Sequence, residues 1–165
     1  MIILALLAAA LVIIFGFVLL FGAPYLPTLK KPRNDVFELL ALKPGQVFVD
    51  LGCGDGRMLS AAAQRGYEAV GYELNPLLAL YAWLRTRRYS GKVKVRCANF
   101  WNADISDADG VFVFLIGHFM FRLDKMISRQ SGGKTIKLVS NAFEIPGKRP
   151  VKRKGGLYLY VYKAG

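Results

Sequence analysis

The sequence has few of the residues that build metal centres or disulfide frameworks. Its 165 residues include two cysteines and one histidine. Cys53 and Cys97 stand 44 positions apart, with no C-x-x-C or C-x-x-H pair near either. The pattern therefore predicts no metal site and no disulfide scaffold, and it fits a reducing compartment. There is also no internal repeat, and the length suits a single domain.

Charge is absent from the first part of the chain. No charged side chain precedes Lys30, although the formal net charge of the whole chain is +12. The run from Ile2 to Gly22 is continuously apolar, and at about 1.5 Å per residue a helix of this length matches the roughly 30 Å hydrocarbon core of a bilayer. A cleaved signal peptide would have a basic start and a shorter apolar core, and a buried helix in a soluble domain would have a polar face. We therefore expect residues 1–22 to form a transmembrane anchor.

Three cations follow the apolar run closely, at Lys30, Lys31 and Arg33. By the positive-inside rule they assign the rest of the chain to the cytoplasm and the N-terminus to the other side. Residues 23–34 contain three prolines, so they predict an extended connector. The sequence thus predicts a single-pass membrane protein whose residues 35–165 form one cytoplasmic domain.

Helical and strand patterns alternate along this domain. The predicted helices are Asp35–Leu42, Met58–Arg65, Pro76–Arg88 and Phe119–Ile127, and the predicted strands are Gln46–Leu51, Ala69–Glu73, Lys92–Ala98, Gly110–Ile116, Thr135–Asn141 and Leu157–Tyr162. Gly110–Ile116 is nearly all apolar, which is typical of a central strand covered by helices on both faces. The alternation predicts an α/β fold with a doubly wound, mostly parallel sheet.

A glycine-rich turn follows the first predicted strand, with the order Gly52, Cys53, Gly54, Asp55 and Gly56. Its G-x-G-x-G spacing differs from the G-x-G-x-x-G of dinucleotide sites. Glycines allow a sharp turn and a close approach of the backbone to a ligand. The carboxylates of Asp50 and Asp55 suit an ammonium or sulfonium group better than a phosphate. Taken alone, such a turn is also an ordinary link between a strand and a helix.

A further acid ends the second predicted strand, 21 residues after Gly52. This residue, Glu73, can accept hydrogen bonds from both hydroxyls of a ribose, and Leu74 follows it. After the third predicted strand, Asn99 can bond an adenine amino group and Phe100 can pack on the base. Together with the glycine turn, these residues predict a site for a positively charged nucleoside.

These residues resemble the motifs of class I S-adenosylmethionine-dependent methyltransferases, with Asp50–Gly56 as their first motif and Glu73 as their ribose-binding acid. A longer set is similar to the lysine methyltransferases that modify the mitochondrial ATP synthase c-subunit and the adenine nucleotide translocase, and to their prokaryotic relatives. That set comprises Pro27-Thr28, Leu39-Leu40, Leu42–Gly45, Asp50–Arg57 and Val70–Pro76. It covers roughly residues 25–102, and Asn99 stands where the family commonly has an aspartate.

The resemblance implies a Rossmann-like fold, S-adenosyl-L-methionine as cofactor and a protein lysine as methyl acceptor. The residues implied in cofactor binding are Asp50, Gly52, Cys53, Gly54, Gly56, Glu73, Leu74, Asn99 and Phe100. Methyl transfer from a sulfonium needs alignment and desolvation more than acid–base groups. Metal ions are not expected to take part.

Two residues are candidates for contact with the acceptor. Asn75 and His118 lie near predicted carboxyl ends of strands, the edge at which open α/β sheets bind ligands. Asn75 equally fits the N-cap of the helix that Pro76 begins. A lone histidine beside an apolar strand is more often a packed or surface residue. Both residues therefore keep a structural alternative.

Several acceptors and partners remain possible from the residues alone. A lysine of a membrane-associated protein is favoured, with a lipid or quinone, or RNA, as alternatives, and a cofactor-binding module without catalysis as a further one. Basic clusters at Arg85–Arg88 and Lys148–Lys154 suit anionic lipid or nucleic acid, and the expected anchor favours the lipid bilayer. Where many base-amino methylating enzymes carry an Asn/Asp-Pro-Pro-aromatic motif, this chain has Gly117-His118-Phe119, which disfavours that chemistry.

Overall fold

The computed structural model of the protein describes residues 30–164. In this range the helices are α1 (Lys30–Leu40), α2 (Arg57–Gln64), α3 (Pro76–Thr86) and α4 (Met120–Gln130). The strands are β1 (Val47–Leu51), β2 (Glu68–Glu73), β3 (Val93–Cys97), β4 (Gly110–Val113), β5 (Ile136–Asn141), β6 (Lys152–Lys154) and β7 (Leu157–Tyr162), and single 3-10 turns occur at Arg87–Tyr89, Phe100–Asn102 and Gly117–Phe119.

The helices of this range are not of the kind that crosses a membrane. None of the helices within residues 30–164 combines the length and the apolar character needed to span a bilayer. The anchor expected at residues 1–22 lies outside the described residues, as does the first part of the expected connector.

The seven strands form one sheet in the order β3-β2-β1-β4-β5-β7-β6. The first five in that order pair in parallel, and β7 pairs antiparallel with both β5 and β6. The predicted mostly parallel α/β sheet is confirmed. The expectation that β4 is central is also confirmed, because it is the middle strand and all four of its residues are buried.

Helices cover the two faces of the sheet unequally. On one face, α1, α2 and α3 pack over alternate strand residues such as Phe48 and Phe112. On the other face, α4 packs over Val49, Val111 and their neighbours. The side chains of successive strand residues point to opposite faces, so β1, β2, β4 and β5 each contribute to both cores.

The first helix begins earlier than the sequence pattern predicts. Residues 30–34, expected in the connector, are helical. Pro32 is compatible with this start because amide groups in the first turn of a helix have no partner within it. The helix ends at Leu40 rather than Leu42, where Ala41 takes a left-handed conformation (φ 44°) and donates its N–H to Phe37 O at 2.9 Å.

Two strand assignments also change. The strand predicted over Gly110–Ile116 stops at Val113, and its last three residues lead into the 3-10 turn. Strand β6 was not predicted, because Lys152–Lys154 is wholly charged and has no apolar alternation. It is held by a tight hairpin through Gly155 and Gly156, both with positive φ, the requirement of a type I′ turn. Lys154 of this strand contacts Asp35 and Glu38 of α1.

Candidate functional site

The glycine turn lies at the carboxyl ends of β1 and β2. Gly52, Gly54 and Gly56 all have left-handed backbone conformations, with φ of 91°, 52° and 74°. Such angles are unfavourable for residues that carry a Cβ. The N–H groups of Gly52 and Cys53 both donate to Tyr72 O at 2.9 Å. The turn is therefore folded back over the end of β2, where backbone atoms replace side chains as the local surface.

Close packing beneath the turn explains two more small residues. A Cβ at Gly56 would lie 2.9 Å from the Cβ of Ala82 in α3. A Cβ at Gly71 would lie 2.7 Å from the sulfur of Cys53, whose side chain is buried in the core. Burial also raises the pKa of the Cys53 thiol. If Cys53 contacts a cofactor as expected, the contact therefore involves its backbone.

Glu73 connects the glycine turn to the start of α3. Its Oε2 accepts the N–H of Gly54 at 2.9 Å, and its Oε1 accepts the N–H of Asn75 at 2.8 Å. The side chain is 8% exposed. Each carboxylate oxygen has two acceptor sites, so both oxygens can accept one further hydrogen bond. The two sequence features proposed to act together, the turn and the acid, are thus in direct contact.

Asp50 is a buried carboxyl for which residues 30–164 provide no compensating cation. It is 3% exposed, and none of the groups in the described part of the chain donates a hydrogen bond to its side chain. Burial first, and then the charges of Glu73 and Asp55, raise its pKa well above the ordinary value. A positive ligand at this position would stabilise the ionised form.

Asp55, the other carboxylate of the turn, is already neutralised. A guanidinium nitrogen of Arg57 lies 2.8 Å from Oδ2 of Asp55, and one of Arg85 in α3 lies 3.0 Å from the same oxygen. Burial alone would raise its pKa, but hydrogen bonds from Arg57 and the charge of Arg85 hold the pKa below its usual range. The expectation that both acids face a cationic ligand therefore changes, because Asp55 ties α3 to the turn and only Asp50 of the two has no partner in the described part of the chain.

Asn75 serves as the N-cap of α3. Its Oδ1 accepts the N–H of Leu77 at 2.9 Å and that of Leu78 at 3.3 Å. The residue is fully buried, and its Nδ2 has no acceptor among residues 30–164. This geometry supports the capping alternative, while the role towards a methyl acceptor stays a prediction.

The end of β3 lies beside Glu73 in the candidate site. Ala98 donates its N–H to Glu73 O at 3.0 Å, which brings Asn99 and Phe100 next to the acid. Asn99 is exposed and caps the following turn through the N–H of Trp101 at 3.1 Å. Phe100 is half-buried, with its ring centroid 4.7 Å from that of Trp101. The predicted adenine-side residues therefore lie at the same sheet edge as Glu73.

The carboxyl ends of β4 and β5 form a different surface. His118 is exposed and its ring packs on Phe119, with centroids 3.8 Å apart. Ile116 and Phe143 are also exposed, at 37% and 39%, and a Cβ at Gly117 would lie 3.1 Å from the Phe143 ring. We call Ile116, His118 and Phe143 the apolar rim. Sequence reasoning missed Phe143, although an aromatic residue two positions after a strand end was a usable signal.

Comparisons with known proteins agree with this geometry. Residues 50–152 match the family described as the ANTKMT methyltransferase domain. A human lysine N-methyltransferase of the ATP synthase c-subunit is 36% identical over 109 residues, which cover 65% of this chain and 46% of that protein. A protein-lysine N-methyltransferase of Saccharolobus islandicus is 31% identical over 150 residues, covering 84% of this chain and 92% of that protein.

A solved structure gives the same result for the fold. The RNA methyltransferase from Salinibacter ruber, in complex with S-adenosyl-L-homocysteine, superposes with a TM-score of 0.75 at 26% identity, covering 85% of this chain and 95% of that one. By contrast, the chain spans about half the length of the human relative, at 46%. The family and fold are therefore shared over most of this chain, whereas the human protein has additional sequence.

Proposed function

Because the chain belongs to the ANTKMT methyltransferase domain family, we propose that it is an S-adenosylmethionine-dependent methyltransferase that acts on lysine side chains of a membrane-associated protein. The observation that carries this proposal is the pair of hydrogen bonds, 2.9 and 2.8 Å long, by which Glu73 joins the glycine turn to α3. They hold a carboxylate with free acceptor sites beside exposed backbone, the arrangement that recognition of a ribose requires.

The charges of the site fit this cofactor. When bound, it supplies a methyl group on a sulfonium, and it carries an ammonium on its amino-acid tail. Asp50 is a buried carboxyl with no cation among the described residues, and a cationic ligand would favour its ionised form. Gly52 is exposed, and no atom lies within 4 Å of the position a Cβ would take. The turn thus offers both charge and space to a cationic ligand.

The remaining contacts follow from the three strand ends. Glu73 would accept from the ribose hydroxyls, Leu74 would line the same edge, and Asn99 and Phe100 would bind the adenine. Asn99 is neutral, so it can both donate to and accept from the base. These residues orient the ligand, and orientation supplies much of the rate in a displacement reaction.

On the acceptor side, the apolar rim favours a neutral lysine. A low-polarity surface lowers the pKa of an ammonium group because burial penalises its charged form. The neutral nitrogen would then form the new N–C bond as the S–C bond breaks, with the S–C electron pair returning to sulfur and S-adenosylhomocysteine leaving. The resulting methylated ammonium would release its proton to water. His118 contributes a contact to the acceptor in this scheme, and no dedicated base is needed.

A protein acceptor is favoured over lipid or RNA. The Saccharolobus relative, which aligns with 84% of this chain, is named a protein-lysine N-methyltransferase. The Salinibacter structure is named an RNA methyltransferase, so RNA is the alternative to test. We further propose that residues 2–22 anchor the chain in a membrane and that the cations Lys30, Lys31 and Arg33 keep the domain on the cytoplasmic side.

The acceptor class is tested by methyl transfer to separated fractions. The purified full chain is incubated with methyl-labelled S-adenosylmethionine and with membrane protein, lipid or RNA from one cell extract. We expect label in protein, recovered as methylated lysine after hydrolysis. Label confined to the RNA or the lipid would contradict the proposal.

Cofactor binding is tested by titration calorimetry with a matched pair of variants. Glu73→Ala removes the acceptor of both ribose hydrogen bonds, and bonds to a charged group are worth about 1.5–3 kcal/mol each, so we expect affinity to fall by at least about tenfold. Glu68→Ala removes an exposed acid at the other end of the same strand, and we expect unchanged affinity. Equal affinity in the two variants would refute the assigned pocket.

A further inference from the structure

Helix α3 has an unusual distribution of side chains. Its outward residues are large and apolar, with exposures of 45–54% for Leu77, Leu80, Tyr81, Trp83 and Leu84. Its inward residues are small or polar, namely Ala79, Ala82 and Thr86. An ordinary surface helix shows the opposite arrangement. We call the five outward residues the α3 apolar face.

The fold requires the small inward residues but not the apolar face. Ala82 must be small because α3 lies against the glycine turn, where a Cβ at Gly56 would already be 2.9 Å from it. Leu80 and Leu84 have no comparable role, since about half of each side chain is open to solvent. Contiguous apolar surface of this kind is typical of an interaction site.

Charge around this face identifies the partner. Between Asn75 and Ala103 the sequence contains no Asp or Glu and six Lys or Arg. One of the six, Arg85, is paired with Asp55, whereas Arg87 and Arg88 continue from the end of α3 and are exposed. Leucine, tryptophan and tyrosine beside arginine are the composition of helices that lie in the interface of anionic membranes. Leucines contribute little to stacking on nucleic-acid bases, which relies on aromatic rings.

The start of the described chain lies on the same side of the domain. Asn34 of α1 accepts a hydrogen bond at 2.7 Å from Arg65, the residue that ends α2. Arg57 at the start of α2 and Arg85 near the end of α3 share the carboxylate of Asp55, so the beginning of α1 and the C-terminal part of α3 both pack beside α2. The seven residues 23–29 separate α1 from the apolar run, and they reach at most about 25 Å. A domain on so short a tether meets the bilayer with the surface nearest to α1.

We propose that the α3 apolar face is a second membrane contact, which lies in the plane of an anionic bilayer. This inference rests on the proposed membrane attachment of the chain. Because α3 begins at Asn75 beside Glu73, the contact brings the cofactor end of the sheet to the membrane surface, within reach of lysines that lie close to the bilayer.

The two tryptophans of the chain provide a direct test. Trp83 lies on the α3 apolar face, whereas Trp101 packs against the core that α4 covers. The full chain is reconstituted into phosphatidylcholine–phosphatidylglycerol vesicles that contain lipids brominated near the headgroup end of the acyl chains. Trp101→Phe leaves Trp83 as the reporter, and Trp83→Phe leaves Trp101. We expect several-fold stronger quenching, together with a blue shift, for Trp83.

Matched substitutions identify the surface. In the Trp101→Phe background, Leu80→Ser with Leu84→Ser should remove most of the quenching. Phe121→Ser, at a residue of α4 that is 55% exposed, should leave it unchanged.

Three results would overturn the inference. The first is equal quenching of the two tryptophans. The second is a blue-shifted Trp83 that lipid bromines do not quench, which would mean that the face binds protein. The third is loss of the lipid signal on addition of poly(U) RNA, which would mean that the face binds nucleic acid. A chain that does not float with the vesicles would refute the membrane attachment as well. The optical readout is independent of methyl transfer, so the catalytic proposal is judged separately.

Discussion

Helices α3 and α4 both have 11 residues, but they differ in which of their side chains are exposed to solvent. In α4 the apolar side chains of Met120, Leu123, Met126 and Ile127 are buried, and its charged residues point outward. In α3 the buried positions are alanine and threonine, and the leucines and tryptophan are exposed. The fold alone explains α4, whereas the outer surface of α3 serves something outside the described domain. The comparison separates residues retained for stability from residues available for binding.

The largest expected effect compares one leucine from each helix. Leu123→Ala in α4 deletes a fully buried side chain, which should lower the free energy of unfolding by about 2–5 kcal/mol. Leu80→Ala in α3 removes a side chain that is 53% exposed, and the change should stay within about 0.5 kcal/mol. Urea denaturation of the detergent-solubilised chain, followed by circular dichroism, measures both. Similar losses would mean that α3 is covered within the protein.

A smaller difference in stability is expected between two variants of the glycine turn, on which the inner side of α3 packs. Gly56→Ala imposes a left-handed alanine, at about 1–2 kcal/mol, and pushes against the backbone of Ala82, with an overpacking cost of about 1–3 kcal/mol. Gly52→Ala has the first cost only, since its Cβ would meet no atom within 4 Å. In the same denaturation experiment, Gly56→Ala should have a lower free energy of unfolding than Gly52→Ala. The reverse order would show that the close approach of α3 to the turn does not limit the size of residue 56.

The smallest effect concerns Asp50, the buried acid near the end of β1, beside the glycine turn that α3 packs against. The pKa of Asp50 is raised in the folded chain, so the folded state binds a proton that the unfolded state has released. Stability without cofactor should therefore fall as pH rises from the ordinary value of 3.8 through the folded value. Asp50→Asn should flatten this dependence.

Cofactor binding should respond to pH in the opposite sense, because a cationic ligand favours ionised Asp50. Thermal shifts at several pH values, with and without S-adenosylmethionine, measure both effects. His118→Gln, beside α4, should retain the wild-type dependence on pH of cofactor binding. If the pH dependence of cofactor binding survived in Asp50→Asn and disappeared in His118→Gln, the titrating group would be His118 and not Asp50.

The sequence by itself determined the core of the site. Local patterns, which need only a few neighbouring residues, predicted the parallel strands, the left-handed glycine turn and the acid 21 residues beyond Gly52. The fold topology then required Gly54 and Glu73 to meet, because carboxyl ends of adjacent parallel strands share one edge. All four helices were likewise predicted, with errors of up to five residues at their ends.

Only the tertiary structure decided which carboxylate has no partner within residues 30–164 and which apolar side chains of that range are exposed to solvent. Asp50 and Asp55 look equivalent in the sequence, but Arg85 reaches Asp55 from a helix 30 residues away. The apolar pattern of α3 predicts a helix and does not say which of its sides is covered. Partnership and burial depend on residues that are distant along the chain, and folding brings those residues together.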